Sequence, residues 1–231
     1  MCELYGISNS TPGKAVSGLH RFAEHSCRNP HGWGIAFYRD GEAILAKMPE
    51  KALASKTYYQ LAESVESDVI ISHIRKASLG EKHERNCHPF SHHLDGRNWV
   101  FAHNGHVDGI TQHPRAKGET DSESVFHMLL DHLRGSVDTV TGLQQGITSL
   151  FEEYEFGRQI RLNFLLSDGV NLYAFSHHSE KPMYHQNGNC WQGAQTLVST
   201  QTLGSMPWEK LPEDHLMSIT KGQILSITGP I

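Results

Sequence analysis

The stretch IRLNFLLSDGVNLYAFSHH, residues 160–178, decides the fold. It predicts two strands that turn at Asp168-Gly169, a dipeptide with the backbone freedom a hairpin needs. Within the first strand Phe164, Leu165 and Leu166 are all apolar. Neighbouring side chains in a strand point to opposite faces, so such a run is covered on both sides. The plan recurs along the chain. GWGIAFYRDGEAILAKM (32–48) predicts a second hairpin turning at Asp40-Gly41. Cys2 to Ser8 reads as a short strand, and DVIISHIRKAS (68–78) and RNWVFAHNGHVDG (97–109) as strands that run out into loops. QTLVST (195–200) and HLMSITKGQILSIT (215–228) supply more.

Helical signals are interleaved with these. TPGKAVSGLHRFAEHS (11–26) predicts a helix capped by Thr11, with Pro12 in its first turn. TYYQLAESVES (57–67) predicts a short one, and Val137 to Tyr154 a longer one. In TDSESVFHMLLDHLRG (120–135) Thr120 and Glu123 have capping-box spacing, and Gly135 marks the end. Antiparallel hairpins with helices on their outer sides point to an α+β layered sandwich. No repeat or long linker interrupts it, so one domain over residues 2–231 is expected.

A net charge of -5 and a pI near 6.4 argue against nucleic acid or a membrane surface as partner, since either would need a basic stripe. No apolar run reaches the roughly 20 residues of a membrane span, and the start has no secretory pattern. A cytoplasmic location with reduced thiols is the expectation, because Cys2, Cys27, Cys87 and Cys190 form no paired motif.

Four segments invite chemistry. Cys2 follows the initiator methionine and reads, taken alone, as a buried strand cysteine; loss of Met1 would instead put a thiol and a free α-amine on one residue. Amine and thiol titrate near ~8 and ~8.5, so the amine can take the thiol proton. Arg75 sits where a strand should leave its sheet, placed either for a structural ion pair or to grip a carboxylate with two bonds. Asn104-Gly105 reads as a turn or as an oxyanion hole made of a side-chain amide and an unobstructed backbone N–H. Asp121 opens a helix, as a charge complementing the positive helix end or as a partner for a ligand ammonium group. HERNCHPFSHH (83–93) adds His83, Cys87, His88, His92 and His93, which zinc could accept, although the spacing matches no finger and a histidine-rich loop over the active site is preferred.

Together Cys2-Glu3-Leu4-Tyr5-Gly6, NPHGWGIAFY (29–38), SHIRKAS (72–78), NCHPF (86–90), FAHNG (101–105), ETDSES (119–124) and LVSTQTLG (197–204) with Trp208 resemble the class II glutamine amidotransferases. These are the N-terminal-cysteine branch of the Ntn hydrolases, and the likeness is to their stand-alone, single-domain members of the YafJ type. The resemblance implies a four-layer αββα sandwich and removal of Met1. It implies Cys2 as nucleophile with its α-amine as base, and Asn104 and Gly105 as the oxyanion hole. Arg75 would hold the α-carboxylate of glutamine and Asp121 its α-ammonium group, with Ser78 and His103 also on the substrate. No cofactor and no metal are implied. Larger members typically read HTRWATHG where this chain reads HIRKASLG (73–80), with Lys76 and Leu79 in place of tryptophan and histidine. His31 and Trp33 are candidates for the border of the pocket, with the core as the alternative place for the aromatic. No synthase domain follows, so ammonia goes to a separate acceptor subunit or hydrolysis is the whole reaction. A γ-glutamyl peptide hydrolase and a non-catalytic γ-glutamyl-binding subunit are the alternatives.

Overall fold

The computed structural model describes residues 1–154, 160–190 and 193–231. In chain order the strands are β1 (Glu3–Lys14), β2 (Gly32–Arg39), β3 (Glu42–Met48), β4 (Glu66–Arg75), β5 (Phe90–Leu94), β6 (Arg97–Val107), β7 (Ile160–Ser167), β8 (Asn171–Ser176), β9 (Tyr184–Cys190), β10 (Gly193–Ser199), β11 (Glu209–Lys210), β12 (His215–Thr220) and β13 (Gln223–Ile227). The helices are α1 (Val16–Ala23), α2 (Lys56–Ser64), α3 (Asp121–Leu133) and α4 (Thr139–Tyr154). One sheet has the order β11-β9-β10-β1-β4-β2-β3 and the other β13-β12-β8-β7-β6-β5, and the described pairings are antiparallel.

Side-chain alternation sorts the core into three layers. Leu4, Val69, Ile71, Val100, Ala102, Leu165 and Ala174 fill the space between the two sheets. Tyr5, Ile7, Ile70 and Ile74 point the other way, onto Leu19 and Phe22 of α1 and Tyr58 of α2. Phe101, Phe164, Leu166 and Phe175 pack on Val125, Phe126 and Leu129 of α3 and on Ile147 and Leu150 of α4. Phe164 and Leu166 therefore face helices while Leu165 faces the other sheet, as the doubly apolar run requires. The result is an αββα sandwich. No helix among the described residues is long and apolar enough to cross a membrane.

Four local expectations are corrected. Thr11 and Pro12 do not open a helix, because β1 continues to Lys14 and α1 begins at Val16. The long β4 offers Ser67 and Glu66 as partners for Gly13 and Lys14, and Pro12 falls in the register shift between Ser8 and Gly13. There its missing N–H breaks no ladder bond. The capping box of α3 does not form. Thr120 is the N-cap residue, but its hydroxyl makes no cap bond, and Glu123 accepts instead from the Gly118 N–H at 2.6 Å. Asn104-Gly105 is not a turn; β6 runs through both residues to Val107, paired with β7. The histidine-rich stretch is not a single loop, since Phe90–Leu94 form β5 against β6.

Candidate active site

Antiparallel pairing of β1 with β4 sets Glu3 opposite Ile74, which brings Cys2 level with the end of β4. Cys2 is half-buried there. Its Sγ receives the Lys76 N–H at 3.3 Å and lies 3.5 Å from the Lys76 carbonyl oxygen. The other sheet supplies Asn104 from β6, fully buried, whose Nδ2 donates to the Cys2 carbonyl oxygen. Asn104 Oδ1 has no partner among the described residues. The next residue has to be glycine, because a Cβ on Gly105 would run into the Arg161 carbonyl and stand 2.7 Å from His103 Nε2.

Arg75 is 2 % exposed, and its guanidinium is turned onto the loop that follows it. It donates to the carbonyl oxygens of Leu79 at 2.8 Å, Gly80 at 3.1 Å and Glu81 at 3.0 Å. His31 holds the same loop through its Nδ1, which accepts from Ala77 N at 2.9 Å. Ser78 and Leu79 stand exposed at the rim. Trp33 does not border the site. It is fully buried in the outer layer, edge-on to Tyr58 at 5.2 Å, because β2 turns its alternate residues toward α2.

Asp121 Oδ2 accepts from Val107 N at 2.9 Å and pairs with His106 Nδ1 at 3.0 Å. Burial alone would raise its carboxyl, yet the His106 and Val107 hydrogen bonds hold it below the ordinary range. The His103 ring is held between α3 and β7, its Nδ1 2.8 Å from the Ser122 hydroxyl and its Nε2 3.1 Å from the Arg161 carbonyl. A carbonyl only accepts, so Nε2 carries the proton and Nδ1 accepts from Ser122. Burial lowers its pKa and keeps the ring neutral. Beneath Arg75, His73 is fully buried and stacked on His88 at 4.2 Å. Burial beside Arg75 pushes His73 down to about 3.

Cys2, Arg75, Ser78, His103, Gly105 and Asp121 all line one cavity of about 20 Å³, room for little more than one water. A neighbouring cavity of about 350 Å³ shares Leu79, Thr120 and Asp121 with it. In this cavity Arg75 Nη1 and Nη2 are engaged by the Leu79, Gly80 and Glu81 carbonyls, so a carboxylate gripped by both Nη atoms competes with that loop.

Several neighbours of Cys2 carry no local sequence signal. Lys181 Nζ lies 3.1 Å from the Cys2 carbonyl oxygen and forms an ion pair with Glu3, whose other oxygen accepts from Thr200 at 2.6 Å. Burial raises the Cys2 thiol pKa, against the Lys76 N–H, the Met1 amine, Arg75 and Lys181, which lower it. Burial and Lys181 together lower the Met1 α-amine below its ordinary value of 8.0. Among the described residues no three His, Cys, Asp or Glu side chains are grouped to hold a metal ion. His83 instead accepts from Arg85 N, Cys87 Sγ sits on the Met48 and His83 carbonyls, and His92 meets His127 edge-on.

The His106–Asp121 pair makes a pH prediction. The Asp121 hydrogen bond raises the His106 pKa above 6.5. Its contribution to stability is then fully present below about 6.5 and lost as pH rises through the raised value. His106→Gln should melt below the unsubstituted protein at pH 6, with the gap closing toward pH 8. A gap that widens with pH would contradict the pairing.

A model of the class-II glutamine amidotransferases matches residues 1–187. MJ1515 of Methanocaldococcus jannaschii is 35% identical over 198 residues, 80% of this chain and 53% of that one. YafJ of Escherichia coli is 34% identical over 187 residues, 76% of this chain and 72% of its own. The chain thus spans little more than half of the archaeal relative. The γ-glutamyl-hercynylcysteine sulfoxide hydrolase of Mycobacterium tuberculosis is 23% identical over 204 residues, 87% of this chain and 80% of that one. The crystal structure of a predicted glutamine amidotransferase from Pseudomonas aeruginosa superposes with a TM-score of 0.70 at 25% identity, covering 97% of this chain and all of that one. The sandwich and these likenesses have one meaning: the chain belongs to the class-II glutamine amidotransferases.

Proposed function

We propose that this chain, once Met1 is removed, is an amidohydrolase that cleaves the side-chain amide of glutamine or of another γ-glutamyl compound through Cys2. The observation that carries the reading is convergence. Cys2 and Arg75 from one sheet, Gly105 from the other and Asp121 from α3 line one cavity, with Asn104 bonded to Cys2.

The chemistry follows from the groups present. Removal of Met1 converts the Cys2 amide nitrogen into an α-amine next to its own thiol. Burial and Lys181, which already lower the Met1 amine, favour the free base of its successor. That amine takes the thiol proton, and sulfur adds to the amide carbon. The carbonyl electron pair moves to oxygen, which Asn104 Nδ2 and the Gly105 N–H stabilise. The pair returns, the C–N bond breaks, and the departing nitrogen takes the proton from the α-ammonium group. Water then cleaves the γ-glutamyl thioester, giving glutamate and restoring the thiol. Arg75 and Asp121 hold the α-carboxylate and α-ammonium ends. Ammonia that is used rather than lost goes to a separate acceptor subunit.

A second reading, hydrolysis of γ-glutamyl peptides, is favoured by the coverage of the mycobacterial hydrolase. One experiment addresses both. Protein shown by intact mass to lack Met1 is treated with 6-diazo-5-oxo-norleucine, and untreated protein is given glutamine and a panel of γ-glutamyl amides. The expected result is one covalent label on Cys2 and release of glutamate. Label on Cys27, Cys87 or Cys190 would overturn the assignment.

A further inference from the structure

We infer that the space filled by the Met1 side chain is the subsite for the leaving group, that His178 is its polar contact, and that favoured substrates are γ-glutamyl amides whose departing amine carries a neutral polar or sulfur-bearing arm. This rests on the reading of Cys2 as nucleophile.

His178 is 2 % exposed, and its Nδ1 has no partner among the described residues. Its Nε2 lies 2.8 Å from Met1 Sδ. A buried imidazole ordinarily spends both nitrogens on the fold, and an unspent one is costly. Here the ring nitrogen Nε2 donates to the thioether sulfur of a residue that the processed protein lacks. Loss of Met1 then leaves Nε2 without that acceptor at a wall of the space Met1 vacates, while Nδ1 is already without a partner among the described residues.

The same turn reaches Cys2 on its other side. Lys181 N donates to the His178 carbonyl at 3.0 Å, and Lys181 Nζ lies on the Cys2 carbonyl at 3.1 Å. His178 is thereby tied to the backbone of the nucleophile itself.

Geometry links Met1 to the leaving group. The proton returned by the Cys2 amine travels along a hydrogen bond of about 3 Å, so the departing nitrogen sits beside the Cys2 nitrogen. Met1 is bonded to that nitrogen and extends from it to His178. A substituent on the departing nitrogen has the same space to enter. An atom three bonds out along it reaches about as far as Met1 Sδ. Ammonia leaving from glutamine has no such substituent and leaves the subsite empty.

The chemistry of the arm follows from the ring. Burial, with Arg161 and Lys181 nearby, pushes the His178 pKa to about 4. At neutral pH one ring nitrogen donates and the other accepts. A thioether, thiol, hydroxyl or amide satisfies a neutral imidazole of this kind. The contact recorded with Met1 is itself one to a thioether.

The test compares γ-glutamyl-S-methylcysteine, whose sulfur is three bonds from the departing nitrogen, with γ-glutamylalanine, which has no arm. The readout is the ratio of their kcat/KM values in protein lacking Met1. A ratio of about tenfold is expected, the size of one buried hydrogen bond. His178→Ala should bring the ratio close to one, and His178→Gln, which keeps a donor and an acceptor, should recover part of it. A flat ratio in the unsubstituted protein, or a ratio that His178→Ala leaves in place, overturns the subsite. Equal losses on both substrates in His178→Ala also overturn it, because they mark a purely structural histidine. With Cys2 labelled and the ratio flat, only the subsite fails. With Cys2 unlabelled and neither amide cleaved, the Cys2 reading fails and takes the subsite with it.

Discussion

Cys2→Ser should lower glutamate release by on the order of 10³-fold or more, and protein that keeps Met1 should be as inactive. The two losses have different causes. A serine hydroxyl holds its proton far more tightly than a thiol, so an α-amine no longer generates the nucleophile. Retained Met1 leaves the thiol but turns its base into an amide, and burial then holds the thiol pKa up. It also fills the space beside His178. Neither change should disturb folding. The Sγ contacts are to the Lys76 backbone, and a serine oxygen can accept from the same N–H. The measurement is glutamate release from chains of known mass, with melting temperature as the control. Turnover by the Met1-bearing chain at the rate of the processed one would end the proposal. A Cys2→Ser variant of unchanged rate would do so equally.

What was legible in the sequence follows from how far each signal reaches. The doubly apolar run at Phe164-Leu165-Leu166 is local, and it foretold the layer plan because each parity has to find its own cover. β9 was missed because Tyr184–Cys190 is mostly polar and is held in place by β10. β5 was hidden inside a histidine run. The Thr11-Pro12 and Thr120-Glu123 signals are sound local preferences that tertiary partners overrode: Ser67 and Glu66 captured the first, and the Gly118 N–H captured Glu123. At the site, Cys2, Arg75, Asn104, Gly105 and Asp121 carry motif signals in short segments. Lys181 and His178 do not. They meet Cys2 and Met1 across more than 170 residues of chain, in a turn that nothing local distinguishes. Glu3 looked like an ordinary strand residue until Lys181 and Thr200 closed around it.

Asn104→Ala should lower kcat by about 10²–10³-fold and leave KM nearly unchanged. The oxyanion exists only after sulfur has added to the carbonyl, so a donor aimed at it acts on the barrier and not on substrate affinity. Asn104 Nδ2 donates to the Cys2 carbonyl in the resting chain, so its loss also frees one acceptor. Lys181 still holds that carbonyl at 3.1 Å, which limits the cost in stability to about 1 kcal/mol. Asn104→Asp preserves shape, removes the donor and adds negative charge, so it should be at least as slow as the alanine variant. The neighbouring residue supplies the contrast. Gly105→Ala places a Cβ against the Arg161 carbonyl and near His103 Nε2. Arg161 belongs to β7, so relief requires β6 and β7 to part at a paired position. Overpacking against backbone should cost about 3 kcal/mol or more, seen as a lower melting temperature. Two adjacent substitutions should therefore separate, one slowing the reaction in a folded protein and the other loosening the sheet. Equal melting temperatures with equal losses of rate would mean that Asn104 acts through the fold, and its place in the oxyanion hole would be lost.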